Sequence, residues 1–256
     1  QGRVDAYLKD NIEITDAWTP IGTRDYPFTS SFDGQGYSIT ISSCADGEYA
    51  GVFGYVGNQS ASTTSISNLV VKGPDAGITT SAQYAGGIVA YSYGATISNC
   101  VNKLKIDNTY VNSDSSVKEF GTGGIVGFVK KDTKIEGCVN FAELVSKSSV
   151  GGIIGKAYLD DWYEQGKLNI QKCINLGTIK SANSKTYVSG FVGYSHFPIE
   201  IKDCIHLGNI TYVDGSSYPY YDSGFINANG PSTTNSNLNH SIKISNYKCK
   251  FKTNCW

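Results

Sequence analysis

Short apolar runs bounded by glycine recur along the chain, and the first recurring unit reads small-Gly-apolar-apolar-small. Gly123–Gly127, with the sequence Gly-Gly-Ile-Val-Gly, is a clear copy. The remaining copies begin at Ala50, Gly86, Gly151, Ser189 and Ser223. Successive copies begin 36, 37, 28, 38 and 34 residues apart. Self-similarity at such a spacing predicts a repeat architecture in which each repeat is one supersecondary unit.

A second unit, Ile-x-x-Cys-apolar-Asn, follows each copy of the first. Its leading apolar residues are Ile66, Ile97, Ile135, Ile170, Ile201 and Ile242. Three positions later stand Leu69, Cys100, Cys138, Cys173, Cys204 and Ser245. Six positions further on stand Ile106, Leu144, Ile179, Ile210 and Phe251, and only the first copy departs, at Asp75. The polar residues lie between the units, so we expect insertions at one place per repeat.

Both units are short, rich in Ile and Val, and lack the apolar stripe of an amphipathic helix, so they are typical of strands. Three short strands per repeat fit one turn of a parallel β-helix. We therefore predict an all-β fold, a right-handed parallel β-helix of about six to seven coils. Residues 1–45 are predicted to form the N-terminal cap and first coil, and residues 46–256 the repeats with a C-terminal cap, in one continuous domain.

Stacked coils place equivalent residues above one another at a spacing of ~4.8 Å, so matched positions predict ladders. Asn102, Asn140 and Asn175, followed by His206, are predicted to form a structural amide ladder, and Asn also tolerates a left-handed turn. An aromatic column follows the glycines, and alternation does not decide whether it faces in or out. It consists of Tyr55, Tyr91, Phe128, Lys156, Tyr194 and Ala228.

The chain has seven cysteines, and four of them fall in one predicted column: Cys100, Cys138, Cys173 and Cys204. We interpret these four as buried thiols rather than disulfides, because side chains projecting in parallel do not easily reach the disulfide torsion. Cys249 and Cys255 are a possible disulfide that would fasten the C-terminus. No Cys-x-x-Cys pair occurs and the histidines lack ligand spacing, so we predict no metal site and no cofactor.

Composition excludes several partners. With 21 basic and 22 acidic side chains the formal charge is -1, which removes the usual reasons to propose nucleic acid, an acidic membrane or a polyanion. No apolar run approaches the ~18 residues of a membrane span, so no membrane insertion is expected. The chain begins with Gln1, which we interpret as a piece of a longer precursor. Sequons at Asn58, Asn209 and Asn239 are possible N-glycosylation sites and weakly favour secretion.

Two aromatic loops are candidate binding sites. The sequence Asp160, Asp161, Trp162 and Tyr163, followed by Glu164, has the residue types of a calcium or sugar site, or of a solvated loop with an aromatic lid. A later loop carries Tyr218, Tyr220 and Tyr221, with Tyr212 just before it, and we interpret it as the corresponding loop of a later coil. Rigid tyrosine-rich loops suit protein or glycan contact, and equally the cover of a core edge.

The chemistry of catalysis has little support in the sequence. Glycoside hydrolysis needs converging carboxylates, whereas Asp132, Glu136, Glu143, Asp203 and Asp214 share no column. We therefore predict no catalytic residues and no enzyme activity.

At the two repeated units the chain resembles the GLUG-repeat family. The best matching pairs are Gly123–Gly127 with Ile135–Asn140, and Gly151–Gly155 with Ile170–Gly177, and the resemblance covers about residues 49–251. Residues 17–22 and 32–39 also look like the opening of such a β-helix. The resemblance implies an extracellular β-solenoid of surface adhesins, of large secreted proteins, or of the non-catalytic region of some IgA-specific metallopeptidases. The His-Glu-x-x-His motif of those peptidases is absent, so their activity is not carried over.

The resulting functional hypothesis is a non-enzymatic, secreted or cell-surface module, an adhesin-like stalk or binding domain that contacts a protein or glycan on a cell surface through its loops. Two alternatives remain open. One is a self-assembling extracellular filament subunit that adds head to tail through open solenoid ends. The other is a carbohydrate-active β-helix enzyme.

Overall fold

The chain folds as a stack of parallel strands. A computed structural model describes residues 5–59, 63–114, 116–158, 167–183, 186–196 and 198–212, and the strand segments 222–223, 226–228, 242–245 and 248–249. The described residues contain strands, turns and bends, and no helix. The strands form five parallel sheets, which we number 1 to 5 in the order in which one coil passes through them.

Sheets 1 and 2 have eight strands each and sheet 3 has five. Sheet 1 contains Ala6–Tyr7, Ser31–Asp33, Ser65–Ser67, Thr96–Ser98, Thr133–Glu136, Leu168–Gln171, Ile199–Lys202 and Ile242–Ser245. Sheet 2 contains Ile12–Trp18, Ser38–Cys44, Val70–Lys72, Val101–Asn102, Val139–Asn140, Ile174–Asn175, Ile205–His206 and Lys248–Cys249. Sheet 3 contains Ile78–Thr80, Ile106–Asn108, Leu144–Ser146, Ile179–Ser181 and Ile210–Tyr212.

Sheets 4 and 5 have six strands each. Sheet 4 contains Tyr49–Ala50, Tyr84–Gly86, Gly121–Gly123, Val150–Gly151, Val188–Ser189 and Asp222–Ser223. Sheet 5 contains Phe53–Val56, Val89–Tyr93, Val126–Lys131, Ile154–Ala157, Val192–Ser195 and Ile226–Ala228.

This arrangement is a parallel β-helix, and the predicted fold is confirmed. Five complete coils run from Ser65 to Ala228, with partial coils before and after them. The sequence predicted three strands per coil, whereas each complete coil has five. The glycine unit and the cysteine unit each bend at a corner and contribute two strands, and the segment after the cysteine unit contributes the fifth.

The register between coils follows the repeat, with two corrections at its ends. Ile66, Ile97, Ile135, Ile170 and Ile201 are successive partners in sheet 1. In the last coil Ile244, not Ile242, pairs with Ile201, so Ser245 does not continue the cysteine column. In the first coil Ile78, not Asp75, pairs with Ile106, because that coil has a longer corner before sheet 3. Ala228 pairs with Ser195, so it does not continue the aromatic column from Tyr194.

The corner between sheets 1 and 2 has the same two-residue length in each complete coil and is built on left-handed backbone. Its first residue has a positive φ in each of the five coils: Asn68, Asn99, Gly137, Lys172 and Asp203. Asn102, Asn140 and Asn175, whose residue type also tolerates a left-handed turn, do not occupy this turn. The turn lies directly before the cysteine position, where short polar residues and glycine tolerate it at the least cost.

The amides of Asn102, Asn140 and Asn175 instead form a hydrogen-bonded ladder inside the solenoid. Asn102 Nδ2 donates to Asn140 Oδ1 and Asn140 Nδ2 donates to Asn175 Oδ1, each at 2.9 Å. Asn175 Nδ2 lies 3.2 Å from His206 Nδ1. All three asparagines are fully buried, and each amide oxygen also accepts from the backbone N–H two residues on, for example at Leu104.

The repeat glycines and the ladder asparagines are two halves of one contact. A Cβ at Gly87 would lie 2.3 Å from Asn102 Cγ, and a Cβ at Gly124 would lie 2.5 Å from Asn140 Cγ. Carbon atoms do not approach so closely, so only glycine leaves room for the amide. The two recurring units of each repeat therefore meet across the interior of the coil.

Replacing the central amide tests this interaction. Asn140→Ala removes a donor and an acceptor and leaves buried polar atoms of Asn102 and Asn175 without their partner, so we expect the free energy of unfolding to fall by ~3 kcal/mol. Asn169→Ala, on the partly exposed outer side of sheet 1, is the matched control and should change it by less than ~0.5 kcal/mol. Denaturant unfolding followed by circular dichroism measures both. Equal effects of the two substitutions would contradict the ladder's structural role.

Candidate functional site

The large variation in length falls at two corners of each coil. In the five complete coils the corner between sheets 1 and 2 holds two residues, such as Asn99 and Cys100, and so does the corner between sheets 4 and 5. Smaller differences occur elsewhere: residues 34–37 join sheets 1 and 2 before the first complete coil, and residues 73–77 precede sheet 3 within it. The corner between sheets 3 and 4 expands from residues 81–83 to residues 109–120, and the corner between sheets 5 and 1 from residues 94–95 to residues 158–167. Insertions thus occur at two places per coil, not at one as the sequence predicted. Both places flank the outer side of sheets 4 and 5.

The outer side of sheets 4 and 5 is lined by aromatic rings, and we call it the aromatic face. Inward residues of these strands, such as Ala85 and Val89, belong to the main core, whereas the outward rings form a separate buried cluster. This settles the orientation of the aromatic column, which lies outside the coil. The aromatic face consists of Tyr49, Tyr84 and Tyr187 beside sheet 4, and Tyr55, Tyr91, Phe128, Lys156 and Tyr194 on sheet 5.

The rings stack from coil to coil and meet edge to face across the corner. Tyr55 and Tyr91 are stacked at 4.5 Å between centroids, and Tyr49 and Tyr84 at 5.6 Å. Tyr84 meets Tyr91 edge to face at 4.9 Å. Both arrangements are favoured by the ring quadrupole. The face is therefore a rigid, ordered surface.

Glu119 fastens the inserted segment 109–120 to this face. Its carboxylate accepts hydrogen bonds from the hydroxyls of Tyr84 at 3.3 Å and Tyr91 at 3.2 Å. Lys130 Nζ lies 2.6 Å from one carboxylate oxygen, and the Arg24 guanidinium lies 3.5 Å from the other. Arg24 also lies over the rings of Tyr55 and Tyr91, at 5.9 and 5.7 Å. Charge-assisted bonds at a largely buried carboxylate hold the insertion in one position.

Burial keeps the phenols of the face protonated. Burial raises the pKa of Tyr55 to about 12. Burial, together with the negative charge of Glu119, raises the pKa of Tyr84 and of Tyr91 well above the ordinary value. These hydroxyls therefore stay neutral hydrogen-bond donors to Glu119 and are not general bases near neutral pH.

Lys156 takes a position in the aromatic column and is itself enclosed by rings. It is 4 % exposed, and its Nζ lies 3.9 Å from the centroid of Phe120 and just over 5 Å from those of Tyr158 and Tyr194. In sheet 4, Gly121 directly follows the insertion and stands at the position that Tyr84 has in the preceding coil. The neighbouring Phe120 turns over Lys156, so the inserted segment continues the aromatic face.

The candidate binding loops predicted from the sequence lie outside the described residues, but their points of departure are defined. Asp160, Asp161, Trp162 and Tyr163 follow Tyr158 at the corner between sheets 5 and 1. Tyr218, Tyr220 and Tyr221 follow Tyr212 at the corner between sheets 3 and 4. The two loops are therefore not corresponding loops of different coils, as the sequence suggested. They leave from opposite sides of the aromatic face.

The cysteine column lies in the core. Cys100, Cys138, Cys173 and Cys204 are free thiols with no exposed surface, and Cys138 Sγ donates to Ile97 O of the preceding coil at 3.7 Å. Burial raises the pKa of the Cys138 thiol well above its usual value, which makes it a poor nucleophile. Cys249 is described only as a backbone partner of His206; its side chain and Cys255 lie outside the described residues, so their disulfide stays a prediction.

The sequons fall in different environments. Asn58 is exposed at the corner between sheets 5 and 1, and Asn209 is exposed at the corner before sheet 3. Asn239 lies outside the described residues. Their glycosylation stays a prediction.

The described residues hold no group of three His, Cys, Asp or Glu side chains that could bind a metal ion. They also contain no helix long and apolar enough to cross a membrane.

Sequence reasoning missed Glu119 and Arg24. Glu119 lies in an insertion and Arg24 lies before the repeats, so neither belongs to a column. One signal was present: Gly121 interrupts a tyrosine column that Tyr84 and Tyr187 define, and such a gap indicates that another segment fills the position.

Comparison with known proteins identifies the repeat. Residues 81–106 match the family model described as the GLUG motif. The matched segment begins just before the strand Tyr84–Gly86, passes through sheets 4, 5, 1 and 2, and ends at Ile106 in sheet 3, so the motif corresponds to one coil. The chain therefore carries the GLUG repeat, and the predicted resemblance is confirmed. The match falls on a coil with the short corner 94–95, whereas the copy at Gly151 is interrupted by residues 158–167.

Two solved structures share the fold. A candidate immunoglobulin A1 protease from Bacteroides ovatus has a TM-score of 0.67 and 20% identity, over 97% of this chain and 69% of that chain. A second structure, named IgA1 Protease, has a TM-score of 0.53 and 17% identity, over 89% of this chain and 20% of that chain. No curated protein matches the sequence. At these identities the likeness shows the fold alone.

Neutralising Glu119 tests how the inserted segment is held. Glu119→Gln removes the charge that faces Arg24 and Lys130, so we expect a loss of ~2 kcal/mol in stability and faster amide hydrogen exchange across residues 109–120. Glu143→Gln is the control, because Glu143 pairs with Lys180 at 2.8 Å on the surface and should cost less than ~1 kcal/mol. Hydrogen exchange read by mass spectrometry distinguishes the two. Unchanged exchange in segment 109–120 of E119Q would exclude Glu119 as its anchor.

Proposed function

We propose that this chain is a non-catalytic binding module of a secreted or cell-surface protein, which holds its partner-contacting loops along the aromatic face. The observation that carries the proposal is the placement of the insertions. Long segments leave only at the two corners that flank sheets 4 and 5, and the other corners have nearly constant length. Loops raised from a rigid scaffold are where binding residues concentrate.

The inserted segment 109–120 supports this proposal because its last two residues, Glu119 and Phe120, are held against the aromatic face without being part of the solenoid. Glu119 and Phe120 fasten it to the face, through the tyrosine hydroxyls and over Lys156. A segment that is fixed before binding loses little conformational entropy when a partner docks. This is the property expected of a binding surface rather than of a spacer.

The partner that we propose is a protein or a glycan on a cell surface. Both loops with clustered aromatic residues, residues 159–166 and 213–221, leave from the corners beside the aromatic face. Tyrosine and tryptophan give large contact areas at small entropic cost.

Protease activity is not proposed for this chain. The names of the two structural neighbours describe those proteins, and the chain spans about a fifth of the second one. Glu119, a carboxylate at the aromatic face, already accepts from two tyrosines and pairs with Lys130 and Arg24. It is a structural anchor rather than an available acid or base.

Loop exchange tests the proposed function. One variant replaces residues 158–167 by the short corner Gly94–Ala95, and another replaces residues 213–221 by the short corner Ser81–Gln83. The labelled chain is applied to a glycan array and to intact mammalian cells. We expect at least one variant to lose about tenfold or more in affinity.

The control carries Lys103→Ala and Phe141→Ser, in the corner between sheets 2 and 3 away from both variable corners, and should bind as the original chain does. Loss of binding in this control with full binding in both loop variants would overturn the proposal. Release of cleaved glycan or peptide during the assay would overturn its non-catalytic part.

A further inference from the structure

A polar cavity lies at the corner between sheets 5 and 1, beside the aromatic face. Its volume is about 420 Å³, within the range of roughly 300–1,000 Å³ that ligand pockets occupy. Tyr93 forms one wall and the corner Gly94–Ala95 the floor, while Asn58 and Gln59 approach from the preceding coil and Lys167 from a later one.

The cavity continues as a shallower depression along the outer side of sheet 1. The second depression, of about 220 Å³, shares Lys134 and Asn169 with the first. Thr96, Lys134, Asn169 and Glu200 are consecutive partners across four coils. At ~4.8 Å per coil the groove is about 14 Å long, which fits an extended ligand rather than a compact one.

The lining favours a ligand rich in hydroxyl groups. Side-chain amides come from Asn58, Gln59 and Asn169, and each amide offers both donors and an acceptor. Apolar side chains that could anchor a peptide are nearly absent from the described lining. Tyr93 is the one aromatic ring in it, and a series of stacking platforms for nucleobases is missing.

The pairing of the lysines along the groove leaves one position for a negatively charged group of a ligand. Lys134 pairs with Glu136 at 2.7 Å and Lys167 with Glu200 at 3.0 Å. Lys131 lies over the ring of Tyr93, with Nζ 5.7 Å from its centroid, and has no carboxylate partner among the described residues.

The carboxylate that lines the cavity already accepts a hydrogen bond from the protein. Asp132, the carboxylate among the cavity residues, accepts from the backbone N–H of Lys167 at 2.5 Å. An ammonium group that lines a cavity and has no carboxylate partner of its own is matched by an anionic group of a ligand.

We propose that this groove binds an oligosaccharide with one carboxylated sugar, whose carboxylate pairs with Lys131 at the Tyr93 end while neutral sugars extend along Lys134 and Asn169. The proposal deepens the proposed function and rests on it, since Asn58 and Lys167 belong to the variable corner between sheets 5 and 1. The chain's formal charge of -1 gives no long-range attraction to a polyanion, so a single paired acid carries the recognition.

The experiment measures binding of the full chain to sialyllactose and to a trisaccharide that ends in glucuronic acid, by isothermal titration calorimetry. Lactose and the methyl esters of both acids are matched neutral ligands. We expect at least one acid to bind, and its methyl ester to bind about tenfold more weakly or worse. Lys131→Met should lower the affinity for the acid to that of the ester, and Lys131→Arg should largely restore it. Lys103→Met, which alters the lysine over Phe141 in the corner between sheets 2 and 3, should have no effect.

Absence of binding by both acids, equal binding of acid and ester, or unchanged affinity in K131M would each overturn the proposal. The methyl-ester comparison uses the unaltered chain, so it does not depend on how the variants fold. If one of these results is found while the loop variants lose binding to cells or to the array, the acidic-sugar groove is excluded and the proposed binding function remains. Failure of both would remove the binding function itself.

Discussion

The contact between a buried asparagine amide and a glycine backbone, repeated in three successive coils at Asn102, Asn140 and Asn175, is the interaction on which the solenoid depends. A parallel stack brings the same position of every coil into line, so an amide can donate to its own copy one coil further along. The glycine opposite is required because a Cβ there would overlap the amide, as at Gly87 and Asn102. The asparagine amide fits only where the opposite residue is glycine, which explains why the two units recur together.

This constraint also determines where the molecule can vary. The ladder fixes sheet 2, and the glycines fix the joint between sheets 4 and 5, so the long insertions fall at corners that neither of them controls. Those corners border the aromatic face, where a buried carboxylate and stacked rings hold the insertion 109–120 in place. The scaffold therefore separates a regular interior from two rows of variable segments. The proposed acidic-sugar groove lies beside the row at the corner between sheets 5 and 1.

Columns could be predicted from the sequence because stacking makes equivalent positions chemically alike. Ile97 and Ile135, and Asn102 and Asn140, are partners as the repeat implied. Prediction failed where a residue acts outside a column. Glu119 acts from an insertion on rings of other coils, and its sequence neighbours give no period to detect. Asparagine suits both a left-handed turn and a ladder, and only the backbone shows that Asn99 takes the first role and Asn102 the second. At the last coil, Ile242 and Ile244 both fit the pattern, and the register alone selects Ile244.

The most direct measurement of the central claim is a nuclear Overhauser experiment on chain labelled with ¹⁵N at asparagine only. The account predicts cross-peaks between the side-chain amide of Asn140 and those of Asn102 and Asn175, with slow exchange of these protons, because the three amides are bonded in series and closed to water. Rapidly exchanging side-chain amides without contacts between them would contradict it.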